Sequence, residues 1–261
     1  LDILILLTMG ALAGLLAGLL GIGGGLIIVP VLALVFAGQG VDAAIIMHLA
    51  IGTSLATIVT TSLSSIRAHH RRGAVDWPVF VRITPGIILG SLLGSSLAAL
   101  LPSDVLRTAF ALFMLLVATR MAFDLAPAPH RQLPGRLGTG SVGILIGAVS
   151  TLMGIGGGTL SVPFLTWCNM AVRRAVATSS AIGLPIAVTG TIVYMITGWG
   201  REVLPPLSLG YINLPAYVGI VAASALFAPL GARLAHSIPE RLLKRFFAVF
   251  LTVLGLKLLL G

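Results

Sequence analysis

The decapeptide GIGGGLIIVP, Gly21 to Pro30, returns as GIGGGTLSVP, Gly154 to Pro163. Each copy lies inside a long apolar stretch, residues 3–37 and 140–168. Glycine runs weaken a helix, and in hydrocarbon every backbone N–H and C=O must be satisfied internally. Such a break is tolerated only where backbone is buried in protein or lines a cavity. The chain is therefore expected to interrupt two apolar segments inside its fold, at the same place in a repeated unit.

Other segments repeat in the same order. Gly52-Thr53-Ser54-Leu55 resembles Ala177-Thr178-Ser179-Ser180, and GSSLAALLPSDVLRTAFALF from Gly94 parallels GARLAHSIPERLLKRFFAVF from Gly231. The proline- and arginine-rich stretch from Ala126 to Gly138 reads as a linker. The expected units are a first transmembrane repeat at 1–125, a cytoplasmic linker at 126–138 and a second repeat at 139–261. Each holds a glycine-broken helical hairpin and three spanning helices, near 43–66, 78–101 and 104–123, then 175–197, 213–236 and 241–260. The fold class is an all-α polytopic membrane protein. Composition agrees, with 57% hydrophobic and 9% charged residues, against about 25% charged in soluble domains.

The net charge of +9 comes from short basic runs between apolar segments. This is a topology signal rather than a nucleic-acid surface, which would need a basic face with interleaved aromatics. If each glycine segment enters and leaves on one side, 13 of the 16 Lys and Arg residues share the side of the RAHHRR run. If each crosses once, only 9 do. The positive-inside rule favours the first arrangement, in which the halves are inverted repeats.

The last glycines of each cluster open a short apolar helix, whose N-terminus carries free N–H groups and a partial positive charge. Gly23, Gly24 and Gly25, with Gly156, Gly157 and Gly158, are therefore candidate anion-binding backbone. Pro30 and Pro163 each remove one further helix donor. Thr53 and Ser54, with Thr178 and Ser179, offer hydroxyl donors early in the next helix. Close helix packing by small residues and hydrogen bonds between helices are the alternative uses of these positions. All seven acidic residues fall at segment ends, which disfavours cation transport and offers no coupling carboxylate. Arg82 and Arg233 lie near helix ends and are expected to snorkel. His48 reads as a packed neutral histidine, His69 and His70 as interfacial.

No catalytic, metal or cofactor motif stands out. The single cysteine, Cys168, excludes an intramolecular disulfide and a cysteine metal cluster. HExxH and GxSxG are absent, which disfavours an intramembrane enzyme.

The duplicated GIGGGxxxVP stretches, the Thr-Ser pair after each, and the ending PLGARLAHSIPERLLKRFFAVFLTVLGLKLL resemble the sulfite exporter TauE/SafE family of bacterial membrane proteins. The resemblance covers nearly the whole chain. It implies transport of small sulfur-containing anions, sulfite or organosulfonates, across the bacterial cytoplasmic (inner) membrane. Ser95 and Ser96 stand where the second half has Ala232 and Arg233, so Arg233 has no symmetrical counterpart. The expected function is a secondary transporter working by alternating access around half-helix N-termini and hydroxyls. Its partners are the anion, the lipid bilayer and, compatibly with the sequence, further copies of the chain. A passive anion channel and a structural or assembly membrane protein are the competing readings.

Overall fold

The computed structural model describes residues 24–123, 132–235 and 240–260. Gly23 and most of the first apolar stretch lie outside them. The described elements are helices α1 (Gly25–Gly38), α2 (Ile46–Arg71), α3 (Trp77–Leu100), α4 (Ser103–Ala122), α5 (Arg136–Met153), α6 (Gly158–Trp167), α7 (Val172–Thr197), α8 (Leu214–Ala235) and α9 (Glu240–Leu260). Five of them, α2, α3, α4, α5 and α7, are long and apolar enough to cross a membrane. Outward-facing Val81, Leu93, Leu100, Leu116 and Leu145 are more than half exposed, as suits helices solvated by lipid.

Helix α2 sits at the centre and is buried continuously from Met47 to Ile58. It runs five residues past the expected end, through His69, His70 and Arg71. Basic residues suit a helix C-terminus, where the dipole is negative. The stop is Gly73, at φ +62. Its N–H donates to His70 O at 2.9 Å, and that of Ala74 to His69 O at 3.1 Å.

Glycines set the course of the packed helices. On α2 and α7, Gly52 meets Tyr194, Gly190 meets Leu55 and Gly183 meets Ser62, so the two helices run antiparallel. On α3 and α5, Gly86 meets Gly140, Gly90 meets Ile144 and Gly94 meets Ala148, so these two run parallel. A Cβ at Gly86, Gly90 or Gly94 would strike the facing carbonyl oxygen. Without side chains, the two backbones approach closely over several turns, and this replaces the hydrophobic drive that lipid removes.

The two ends of the bundle differ in charge. Arg67, Arg71, Arg72, Arg82, Arg136, Arg173 and Arg174 share the end that holds the α2–α3 turn. Among the described side chains, the one carboxylate there is Asp76, which pairs with Arg174 at 3.0 Å. The opposite end carries Arg107, Arg201 and Lys257 against Asp42, Asp104 and Glu202.

Candidate functional site

Helix α5 starts at the basic end, beside α3, and stops at Gly154 in the left-handed region, φ +66. Glycine accepts this conformation without strain, and Val29 and Ile51 leave no room for a side chain. After the turn, α6 leads back through Cys168 to the start of α7 at the same basic end. By its helical rise, α5 extends about 27 Å and α6 about 15 Å. The second glycine segment is thus a helical hairpin whose two ends lie at the same end of the bundle.

The turn between α5 and α6 lies against the first glycine cluster. Gly154 O faces Gly25, where an added Cβ would lie 2.6 Å from that oxygen and 2.9 Å from the α-carbon of Ile155. Ser54 Oγ donates to the same oxygen at 2.8 Å. Gly157 packs on α7, where its Cβ would lie 2.9 Å from Ser179 O and 3.0 Å from Gly183 N. Gly24, Gly25, Gly156, Gly157 and Gly158 therefore belong to one buried or half-buried region.

Two short helices open there. In α1 the Ile27 and Ile28 N–H groups both donate to Gly24 O at 2.9 Å, so the Gly25 and Leu26 N–H groups have no partner within the helix. In α6 the Ser161 N–H donates to Gly157 O at 2.8 Å, which leaves those of Gly158, Thr159 and Leu160. Pro30 and Pro163 lie inside these helices. By lacking N–H groups, they also leave the Leu26 and Thr159 carbonyls without the usual helix donor.

The predicted hydroxyls divide into two kinds. Thr53 Oγ1 accepts the Asn213 N–H at 2.9 Å, and Thr178 Oγ1 accepts the Asp76 N–H at 2.9 Å. Ser54 Oγ already donates its hydrogen bond to Gly154 O. Ser179 Oγ is fully buried with no hydrogen-bond partner, and so are Ser150, Thr159 and Ser161 Oγ. Thr159 and Ser161 escaped the sequence reading. The signal was present, because they stand where the first copy has Leu26 and Ile28.

Asp76 and Asn213 also escaped it. Each caps its helix through the side chain, Asp76 Oδ1 accepting from Val79 N–H at 3.2 Å and Asn213 Oδ1 from Ala216 N–H at 3.0 Å. The matching stretches Asp76-Trp77-Pro78-Val79-Phe80 and Asn213-Leu214-Pro215-Ala216-Tyr217 would have revealed the pair. Around the Asn213 cap, Tyr211 stacks on His48 with centroids 5.0 Å apart, and Arg201 lies 5.4 Å from its ring centroid. Burial pushes the Tyr211 phenol above its usual range, against the pull of Arg201. His48 Nε2 donates to Ala98 O at 3.1 Å, so this nitrogen carries a proton.

A model of the sulfite exporter TauE/SafE proteins matches residues 6–258. The chain belongs to the TauE/SafE family. A Haemophilus influenzae protein named probable membrane transporter protein is 37% identical over 99% of this chain and 98% of its own length. YdhB of Bacillus subtilis, of the same printed name, is 29% identical over 98% and 99%. No solved structure matches significantly. This TauE/SafE chain is thus a multi-pass membrane protein of a transporter family.

Proposed function

We propose that the chain is a secondary transporter of small sulfur-containing anions, sulfite or an organosulfonate, across the bacterial cytoplasmic membrane. The observation that carries this reading is the contact between the two glycine clusters at Gly25 and Gly154. It brings the N-terminus of α1 beside the turn that opens α6. Half-helix N-termini attract anions through N–H groups and dipole, and no fixed cation has to be broken away on release. The unspent hydroxyls of Thr159, Ser161 and Ser179 add donors on one flank. Asp42, Asp76, Asp104 and Glu202 stand at helix ends or in loops.

The working arrangement is a pair of inverted repeats, with the basic end cytoplasmic. The antiparallel course of α2 and α7 supports it. So do the crossed contacts in which Thr53 holds Asn213 at one end and Thr178 holds Asp76 at the other. Alternating access then rocks one repeat-derived bundle against the other around the glycine clusters.

Counterflow of labelled sulfite in proteoliposomes tests the reading, with taurine, sulfoacetate, sulfate, phosphate and chloride as competitors. Saturable exchange blocked by a sulfur oxyanion is expected. Flux that rises linearly with concentration and has no counterflow would replace the carrier with a channel.

A further inference from the structure

We infer that the parallel helices α3 and α5 form a binding site for the headgroup phosphate of an anionic phospholipid, held by Arg82 and Arg136. The register of the two helices carries the inference. Gly86 packs on Gly140, Gly90 on Ile144 and Gly94 on Ala148. One turn before the first contact, the same register sets Arg82 beside Arg136. Both residues are exposed, and among the described residues no carboxylate pairs with either. The nearest acid in the described part of that end, Asp76, already accepts from Arg174 Nη2 and from the Val79 N–H.

Two guanidinium groups at one level of adjacent helices repel each other unless an anion lies between them. A phosphodiester suits the position, because guanidinium donors match phosphate oxygens in pairs. The apolar neighbours decide for a lipid over a free anion. Val81, next to Arg82, is 64% exposed, and Leu137, next to Arg136, is 90% exposed. These side chains suit acyl chains and the glycerol region, and inorganic phosphate has no use for them. Trp77 marks the depth. Its indole donates to His70 Nδ1 at 3.3 Å at the end of α2, the setting of an interfacial aromatic. Arg82 lies five residues further in, about 7.5 Å along the helix, from where its side chain can snorkel back to the phosphate level.

The test measures lipid binding by the full chain, by native mass spectrometry and by melting in phosphatidylcholine vesicles with and without phosphatidylglycerol. Wild type should retain phosphatidylglycerol and melt higher in its presence. The variant R82Q/R136Q should melt as wild type does in phosphatidylcholine alone and bind phosphatidylglycerol roughly thirtyfold more weakly. The variant R67Q/R71Q, altered at the end of α2, should bind it as wild type does. If the double variant does not fold, R82Q and R136Q are compared singly, each expected to lose about fivefold. Unchanged phosphatidylglycerol binding in the altered chains overturns the site. Equal loss in R67Q/R71Q overturns it in favour of diffuse surface charge. Displacement of the lipid by inorganic phosphate at similar concentration overturns the lipid assignment.

Discussion

Thr178 Oγ1 accepts the backbone N–H of Asp76 at 2.9 Å, so a helix of the second half holds the residue that caps α3 in the first. The converse contact, Asn213 N–H to Thr53 Oγ1, ties the first half to the cap of α8. These two bonds lie at opposite ends of the bundle, where an alternating-access carrier has to open and close. Thr178→Val keeps the shape and leaves a half-buried N–H unpaired, a cost of about 1 kcal/mol. The expected result is a lower melting temperature and greater reactivity of a cysteine placed near Asp76. Unaltered melting and reactivity would show that the bond holds nothing closed.

The Asp76 cap and its ion pair can be separated. Asp76→Asn keeps the capping oxygen, as Asn213 does naturally, and loses only the charge pairing with a 58% exposed Arg174. An exposed pair of this kind contributes under about 1 kcal/mol. Asp76→Ala also loses the cap, for about 1 kcal/mol more. Melting curves should rank wild type and Asp76→Asn close together, with Asp76→Ala clearly below them.

Glycines of the α3–α5 seam should respond unequally to the same methyl group. Gly90→Ala drives a Cβ into Ile144 O, an overpacking of about 1–3 kcal/mol. Gly140→Ala meets nothing within 4 Å and gains up to about 1 kcal/mol of helix propensity. Yield and melting temperature of the purified variants check this. Equal behaviour of the two would mean that the helices are not in this register.

Serines at matched positions should separate support from binding. Ser54→Ala removes a buried bond to Gly154 O and should cost about 1 kcal/mol, lowering the melting temperature. Ser179→Ala removes a hydroxyl with no partner, so its stability should be unchanged or slightly raised. Its half-saturating sulfite concentration should rise several-fold in the counterflow assay. A normal value there would take Ser179 out of the anion site.

Gly157→Val should stop transport in a chain that still inserts, because the larger side chain must displace Ser179 O or Gly183 N from α7. Wild-type exchange by a well-folded Gly157→Val protein would remove the second cluster from the site.

Much of this architecture was legible in the residues. Apolar length located α3, α4 and α7 to within three residues at each end. Duplication singled out Gly24, Gly25, Gly157 and Gly158, because a helix break in hydrocarbon cannot recur without a use. The division among the hydroxyls was not legible. Thr53-Ser54 and Thr178-Ser179 look alike in sequence, yet Ser54 is spent on a carbonyl one hundred residues away and Ser179 is not.

Taken alone, the amino-acid sequence determined the described helices, the break at the second glycine cluster and the end that carries the basic charge. These follow from solvation of side chains and from the backbone limits of glycine and proline, which act within a few residues. Tertiary structure decided that the two glycine clusters meet, that each threonine holds the other half's helix cap, and that α3 and α5 pack in the register that puts Arg82 and Arg136 at one level. Such relations depend on close approach between distant segments, and on whether a buried donor finds its acceptor there.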